Sequence, residues 1–171
     1  MERTFVILKP DALQRAISGE IVSRFERVGL KIIALKMVHP DKDHYYHHYE
    51  NIGKMVSRRG QSAFDVTLDF MQIGPVIVMV LEGVEAISLV RKMVGTTEPK
   101  SALPGTVRGD YAHISFDYAN SEGVTIPNLV HASGDKADAD KEIAHWFSKD
   151  EIFDYDTVHS KYTIVNMTNK K

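Results

Sequence analysis

Short β-branched apolar runs alternate with amphipathic helical stretches in the order strand, helix, strand, helical segment, strand, helix, strand. By crossover logic that order predicts an α+β domain, a four-stranded antiparallel sheet with helices packed on one face. This is the split β-α-β, or ferredoxin-like, arrangement. A chain of 171 residues, 43% of them hydrophobic and 26% charged, is long and apolar enough to bury a core as one domain spanning 1–171.

The first strand runs from Thr4 to Lys9 and is ended by Pro10, which cannot donate to a ladder. Asp11 is the expected N-cap of a short turn reaching Arg15. Ser18 caps the next helix, whose Ile21, Val22, Phe25 and Val28 share a face and whose stop is Gly29. Leu30 to Val38 alternates as the second strand and closes at Pro40. Asp41 caps a polar helix reaching about Ile52. Residues 54–62 have no clean period, and Phe64 to Met71 resumes a helical pattern.

Pro75 to Leu81 is the most apolar run and the central strand. Glu85 to Val94 is an amphipathic helix with Ile87, Val90 and Val94 on its core face. Thr96 to Asp110 is a long loop with two prolines and two glycines, of a length that is usually functional. Tyr111 to Phe116 and Ile126 to His131 read as strands, and Lys136 to Phe147 as the last helix. In the tail, Ile152, Phe153, Tyr155, Tyr162, Ile164 and Val165 predict docking onto a neighbour.

A net charge of −2 argues against a dedicated nucleic-acid module, which carries a basic excess. The absence of cysteine excludes disulfides and thiolate metal sites. No segment nears 18 apolar residues, and Phe5-Val6-Ile7-Leu8 is too short for a signal peptide, so a cytoplasmic protein without a membrane span is expected.

The most informative residue is His131, because a neutral imidazole can attack phosphorus at pH 7 without a metal or a base. Eleven residues on, within the last helix, Glu142 could orient the ring. Lys9, Arg91 and Arg108 each stand beside a strand end or turn signal. A nucleophile, its orienter and fixed cations together suit phosphoryl transfer. No Gly-x-Gly and no Gly-Lys-Ser/Thr is present, so a nucleotide would be gripped by side chains, with Lys9, Arg91, Thr97 and Arg108 as candidates. His44, His47 and His48 have a spacing that could hold a divalent ion. A polar helix face is the simpler reading, and no dedicated metal site is expected.

Four strings give a family resemblance: Thr4-Phe5-Val6-Ile7-Leu8-Lys9-Pro10-Asp11, Gly95-Thr96-Thr97-Glu98-Pro99, Pro104-Gly105-Thr106-Val107-Arg108-Gly109-Asp110 and Asn128-Leu129-Val130-His131-Ala132-Ser133. In this order and phasing, closed by Glu142-Ile143-Ala144-His145-Trp146-Phe147, the chain resembles the nucleoside diphosphate kinases from about Glu2 to Tyr162. The resemblance implies the same ferredoxin-like fold. It also implies transfer of a γ-phosphoryl group from a nucleoside triphosphate, ATP as donor, to a diphosphate through phospho-His131. It assigns phosphate contacts to Lys9, Tyr49, Arg91, Thr97 and Arg108, a ribose contact to Asn128, and the holding of His131 to Ser133 and Glu142. It puts His48 near phosphate and Mg²⁺ mainly on the nucleotide's phosphates. It further implies a homo-oligomer, with the Thr96–Asp110 loop and Pro99 favouring a hexamer over a tetramer.

The chain departs from the family in three places. His131-Ala132-Ser133-Gly134-Asp135 replaces the family's His-Gly-Ser-Asp, so a carboxylate on the metal–phosphate side is missing at Gly134, and whether Asp135 replaces it is left open by the sequence. Insertions at about 54–63 and 117–126 flank the slot for the base. Phe64 is the expected stacking residue, with Ala63 as the alternative. The competing readings are a nucleotide-binding scaffold of the same fold and a nucleic-acid-binding ferredoxin-like domain. The first predicts binding without turnover, and the second needs a basic, aromatic sheet face.

Overall fold

β1 (Glu2–Leu8) is central because both of its faces are apolar. Phe5, Val6, Ile7 and Leu8 are all fully buried, and successive side chains of a strand point to opposite faces. Val6 and Leu8 therefore join one core, and Phe5 and Ile7 a second. Helices cover both faces of the sheet, where the pattern predicted one. The unbroken apolar run is what a strand buried on both sides requires. The structure is a computed structural model and describes residues 1–163.

From β1 the chain passes through α1 (Pro10–Gln14) and α2 (Ser18–Arg27) to β2 (Lys31–Val38). It continues through α3 (Lys42–Tyr46), which widens into a π-helical turn at His47–Ile52, then α4 (Met55–Arg59) and α5 (Gln61–Met71) to β3 (Val76–Gly83). α6 (Ala86–Val94), α7 (Val107–Tyr111) and α8 (Phe116–Ser121) precede β4 (Val130–Ala132), and α9 (Lys136–Trp146) follows it. The sheet order is β2-β3-β1-β4, with every neighbouring pair antiparallel. β1 and β2 are thus parallel with β3 between them, and β3 and β4 are parallel with β1 between them. This is the split β-α-β arrangement. Ile21 and Phe25 of α2 pack with Val90 and Val94 of α6 on one face, and Tyr45, Phe64, Met71 and Trp146 close the other.

Capping chemistry explains where the elements depart from the pattern. Residues 111–116 form no strand. The Thr106 hydroxyl accepts the Gly109 N–H at 3.1 Å and starts α7. The Ser115 hydroxyl accepts the Tyr118 N–H at 3.2 Å and starts α8. Two caps override a β-branched, aromatic composition. Lys9, not Asp11, is the N-cap of α1, with Pro10 in the first turn. Ile17, not Ser18, is the N-cap of α2. Asp41 does cap α3, accepting the His44 N–H at 2.9 Å.

The tail runs along the outer edge of β2. The Phe153 N–H donates to the Ile33 carbonyl at 2.8 Å and the Tyr155 hydroxyl to the Ile32 carbonyl at 2.6 Å. Lys36–Glu151 and Lys31–Asp154 pairs flank this contact. Of the apolar tail residues Ile152 packs against the core, while Phe153, Tyr155 and Tyr162 leave their rings exposed and the rest of the docking is by hydrogen bonds and charge. Ile164 and Val165 lie outside the described residues.

Candidate active site

His131 sits on the edge strand β4 opposite Ile7 of β1. It follows a tight reversal at 128–130, which also explains why β4 starts four residues later than the apolar run suggests. The Val130 N–H donates back to the Asn128 carbonyl at 2.7 Å across Leu129, whose φ is +69°. A leucine in that region is strained, and such strain persists only where the surroundings over-determine it. Here they do. The Asp11 carboxylate accepts the Leu129 N–H at 3.0 Å, and the Lys9 N–H donates to the Leu129 carbonyl at 2.8 Å. The Arg108 guanidinium reaches the Asn128, Gly95 and Val130 carbonyls at 3.1, 2.9 and 2.5 Å. The histidine is thus presented by a turn that two charged side chains pin.

The ring is oriented from α9. His131 Nε2 lies 2.7 Å from Glu142 Oε1, and the Ser133 hydroxyl donates to Glu142 Oε2 at 2.6 Å. Ser133 is itself held by β1, with the Phe5 N–H donating to its hydroxyl at 3.1 Å. Glu142 and Ser133 are buried, so this chain of bonds excludes water. A carboxylate on Nε2 keeps the proton there and leaves the lone pair of the ring on Nδ1.

Around His131 lies a cleft with ≈ 720 Å³ of room, lined by all but two of the residues expected at the site. That volume suits a nucleotide. Lys9 donates to Asn128 Oδ1 at 2.8 Å, and Asn128 Nδ2 donates to the Thr97 carbonyl at 2.8 Å. Burial, helped by Arg108 and Arg59 and opposed by Asp11, brings Lys9 down to about 8. Burial beside Arg91 and Arg59 likewise lowers Arg108 to about 10. A group of cations that destabilise one another is a place prepared for polyanion charge.

Two polar atoms on the cleft wall have no partner. The Trp146 indole N–H donates to His48 Nδ1 at 3.2 Å, which puts the His48 proton on Nε2. That Nε2 is buried and unpaired, as is the Tyr49 hydroxyl. Burial holds His48 neutral, well below the ordinary histidine range, and pushes Tyr49 up, so each remains a neutral donor. His48, His131 and Glu142 offer three ligand atoms within 4.8 Å of one another. The proton on His48 Nε2 blocks a metal there. The sequence triplet does not converge either, since His44 and His47 stack on His145 while His48 turns inward.

Of the expected residues, His131, Glu142, Lys9, Tyr49, Arg91, Thr97, Arg108 and Asn128 line the cleft, and Ser133 lies behind the ring. Phe64 does not. It is 2% exposed, packs edge-on against Tyr46 and belongs to the core beneath α5, so it cannot stack on a base. Ala63 faces the cleft in its place and has no ring. Asp135 is spent as the N-cap of α9, accepting the Asp138 N–H at 2.8 Å. Besides Glu142, the carboxylate that faces the cleft is Asp138, and a Cβ on Gly134 would lie 2.8 Å from its Oδ2. Burial, then Asp135 and Glu142, raise its pKa. Sequence reasoning missed Asp138, although its place one turn into a helix that begins behind His131 was readable.

The family model described as nucleoside diphosphate kinase matches residues 2–152. A nucleoside diphosphate kinase of Borreliella burgdorferi is 45% identical over 91% of this chain and 92% of its own. One from Pyrococcus furiosus is 44% identical over 91% and 88%. Among solved structures, a transition-state mimic of the Borrelia burgdorferi nucleoside-diphosphate kinase with bound vanadate and ADP superposes with a TM-score of 0.91 at 42% identity. It covers 95% of this chain and 96% of that one.

Proposed function

The chain belongs to the nucleoside diphosphate kinase family, and from that premise we propose that His131 Nδ1 carries the phosphoryl group. Enzymes of this family transfer the γ-phosphoryl group of a nucleoside triphosphate to a nucleoside diphosphate in two half-reactions through a phosphohistidine. In the first half-reaction the Nδ1 lone pair attacks the γ-phosphorus. The bond to the β,γ-bridging oxygen breaks, and its electron pair leaves on the diphosphate. In the second, a terminal oxygen of an incoming diphosphate attacks phosphorus and the N–P bond breaks. The proton on Nε2 stays in its bond to Glu142 throughout, so the carboxylate neutralises the charge the ring gains. The observation that carries this assignment is the 2.7 Å bond between Nε2 and Glu142, which leaves the other ring nitrogen for phosphorus.

Charge in such a transition state spreads over the equatorial oxygens, so positioned donors do most of the work. Lys9, Arg91 and Arg108 supply fixed positive charge, and the Thr97 hydroxyl with the unpaired His48 Nε2–H and Tyr49 O–H supplies neutral donors. Asn128, already bonded to Lys9, takes the ribose hydroxyls. Mg²⁺ brought by the nucleotide would be held mainly by its phosphates, with Asp138 as the nearby carboxylate, and would neutralise part of the phosphate charge. The donor set fits it, because Glu142 is committed to His131 and Ser133 while Asp138 faces the cleft with a raised pKa.

ATP is the proposed donor, a homo-hexamer the proposed assembly, with a tetramer the alternative, and the cytoplasm the proposed location. Pro99 is buried within the Thr96–Asp110 loop, and Leu103 on the same loop is 73% exposed, which suits a subunit contact. No helix among the described residues is long and apolar enough to cross a membrane. Incubation with γ-labelled ATP followed by GDP tests the mechanism. Wild type takes up acid-labile, base-stable label and passes it to GTP. His131→Ala that still forms labelled GTP would overturn the assignment.

A further inference from the structure

We infer that Phe116, on the inserted helix α8, is the aromatic surface on which the nucleotide base stacks. The inference rests on the nucleotide-binding reading of the cleft. The cleft is polarised: Lys9, Arg91, Arg108 and His131 mark the end that takes phosphate. A nucleotide whose phosphates lie there sends its base to the other end, between α5 and the segment 116–126. On the α5 side the walls are Ala63, Val66 and Thr67, which have no ring. Apart from the His48, Tyr49 and His131 group at the phosphate end, Phe116 is the one aromatic side chain lining the cleft among the described residues.

Three features fit Phe116 for the task. Its backbone is anchored, since its N–H donates to Glu98 Oε1 at 2.8 Å while the Ser115 cap fixes the start of the helix. Its side chain is half-buried, so a ring face is accessible. That face already receives a flat cation: the Arg59 guanidinium lies 5.6 Å from the ring centroid, across the cleft mouth from α4. A purine or pyrimidine is flat in the same way and stacks on an aromatic face irrespective of its edge groups. The two walls meet where the Thr67 and Thr125 hydroxyls are 3.2 Å apart, so the slot is closed on that side.

Calorimetry on the full chain tests this with ADP and with tripolyphosphate, which carries charge but no base. Phe116→Ala is expected to weaken ADP about 5- to 100-fold, the range that loss of one base stack gives. Tripolyphosphate affinity stays within twofold, and the loss with ADP appears in KM. Phe116→Trp restores ADP binding, and its fluorescence is quenched by ADP but not by tripolyphosphate. Phe116→Leu keeps bulk without a planar face and behaves like Ala. Unchanged ADP affinity in the Ala and Leu variants overturns the inference, as does equal loss of both ligands. Failure of the wild type to bind either ligand instead overturns the reading of the cleft as a nucleotide site.

Discussion

The pair of bonds at Glu142 makes a quantitative demand on catalysis. In Glu142→Gln the carboxamide oxygen can still accept from His131 Nε2–H, while its NH₂ faces Ser133. That hydroxyl can accept it, because its own proton has an alternative acceptor in the Phe5 carbonyl at 3.3 Å. The nucleophilic tautomer survives, and what is lost is charge. A hydrogen bond to an ionised group nets about 1.5–3 kcal/mol and a neutral one about 0.5–1.5, so the difference is roughly 1–1.5 kcal/mol. At about 1.4 kcal/mol per decade that is close to a tenfold slower phosphorylation of His131.

Glu142→Ala removes more. It strands the Nε2–H, at about 1–3 kcal/mol, leaves the Ser133 hydroxyl only the longer 3.3 Å bond to the Phe5 carbonyl, and releases the ring. A loss of about 10²–10³ follows. The assay is rapid-quench measurement of phosphohistidine formation at saturating ATP, so that affinity drops out. Ser133→Ala combined with Glu142→Gln is the sharpest variant. The NH₂ then has no acceptor at 133 and is free to turn toward the ring, where it imposes the wrong tautomer. The double variant must fall below the product of the single effects. Wild-type rates in Glu142→Gln together with less than a tenfold loss in Glu142→Ala would refute the role given to this carboxylate.

With Lys9 held at about 8, its charge is present below that pH and lost above it. The kcat/KM for nucleotide should fall with loss of one proton above pH ~8, and Lys9→Arg should abolish that limb. Arg108→Ala strands three carbonyls of the turn that presents His131. It should therefore destabilise the fold by at least ~3 kcal/mol, seen as a fall in Tm of about 6–12 °C by calorimetry. The sequence assigns this arginine a phosphate contact alone, and an unchanged Tm would leave it with that role only. Asp138→Asn should raise the Mg²⁺ concentration needed for half-maximal ADP affinity several-fold, measured by titration calorimetry, while affinity without Mg²⁺ improves. Sedimentation velocity should give a hexamer, and a Leu103→Glu variant should dissociate toward smaller species if the long loop lies at the subunit contact.

Much of the fold was legible because two periods did not compete. The run from Thr4 to Leu8 could only be a strand, and the spacing of Ile87, Val90 and Val94 could only be a helix face. The segment 111–116 misled because its composition is that of a strand, and two capping hydroxyls, at 106 and 115, outweighed it. That outcome depends on the helices they start being able to dock, which is a tertiary fact. The second helical face of the sheet was hidden for a similar reason. An apolar run on a central strand announces two covered faces, yet a strand read alone does not say which later helix returns to cover the second.

Phe64 is different, because the sequence contained the reason to reject it. Phe64, Thr67 and Met71 recur at the spacing of one helix face and are the buried residues of α5. Ala63, one position back, is turned about 100° away and faces the cleft. A large ring on the core stripe is drawn inward to fill it, as Phe64 is, whereas the small Thr67 on the same stripe still reaches the cleft. The period therefore speaks against the ring at 64, and any base-stacking aromatic has to come from another element. What the period cannot supply is that element. The inserted segments have no partner in a pattern argument, and only the folded chain brings Phe116 of α8 within reach of Arg59 of α4. Residues that belong to the core were readable from α5 itself, whereas the wall that faces them across the slot depends on how two insertions distant in sequence settle against one another.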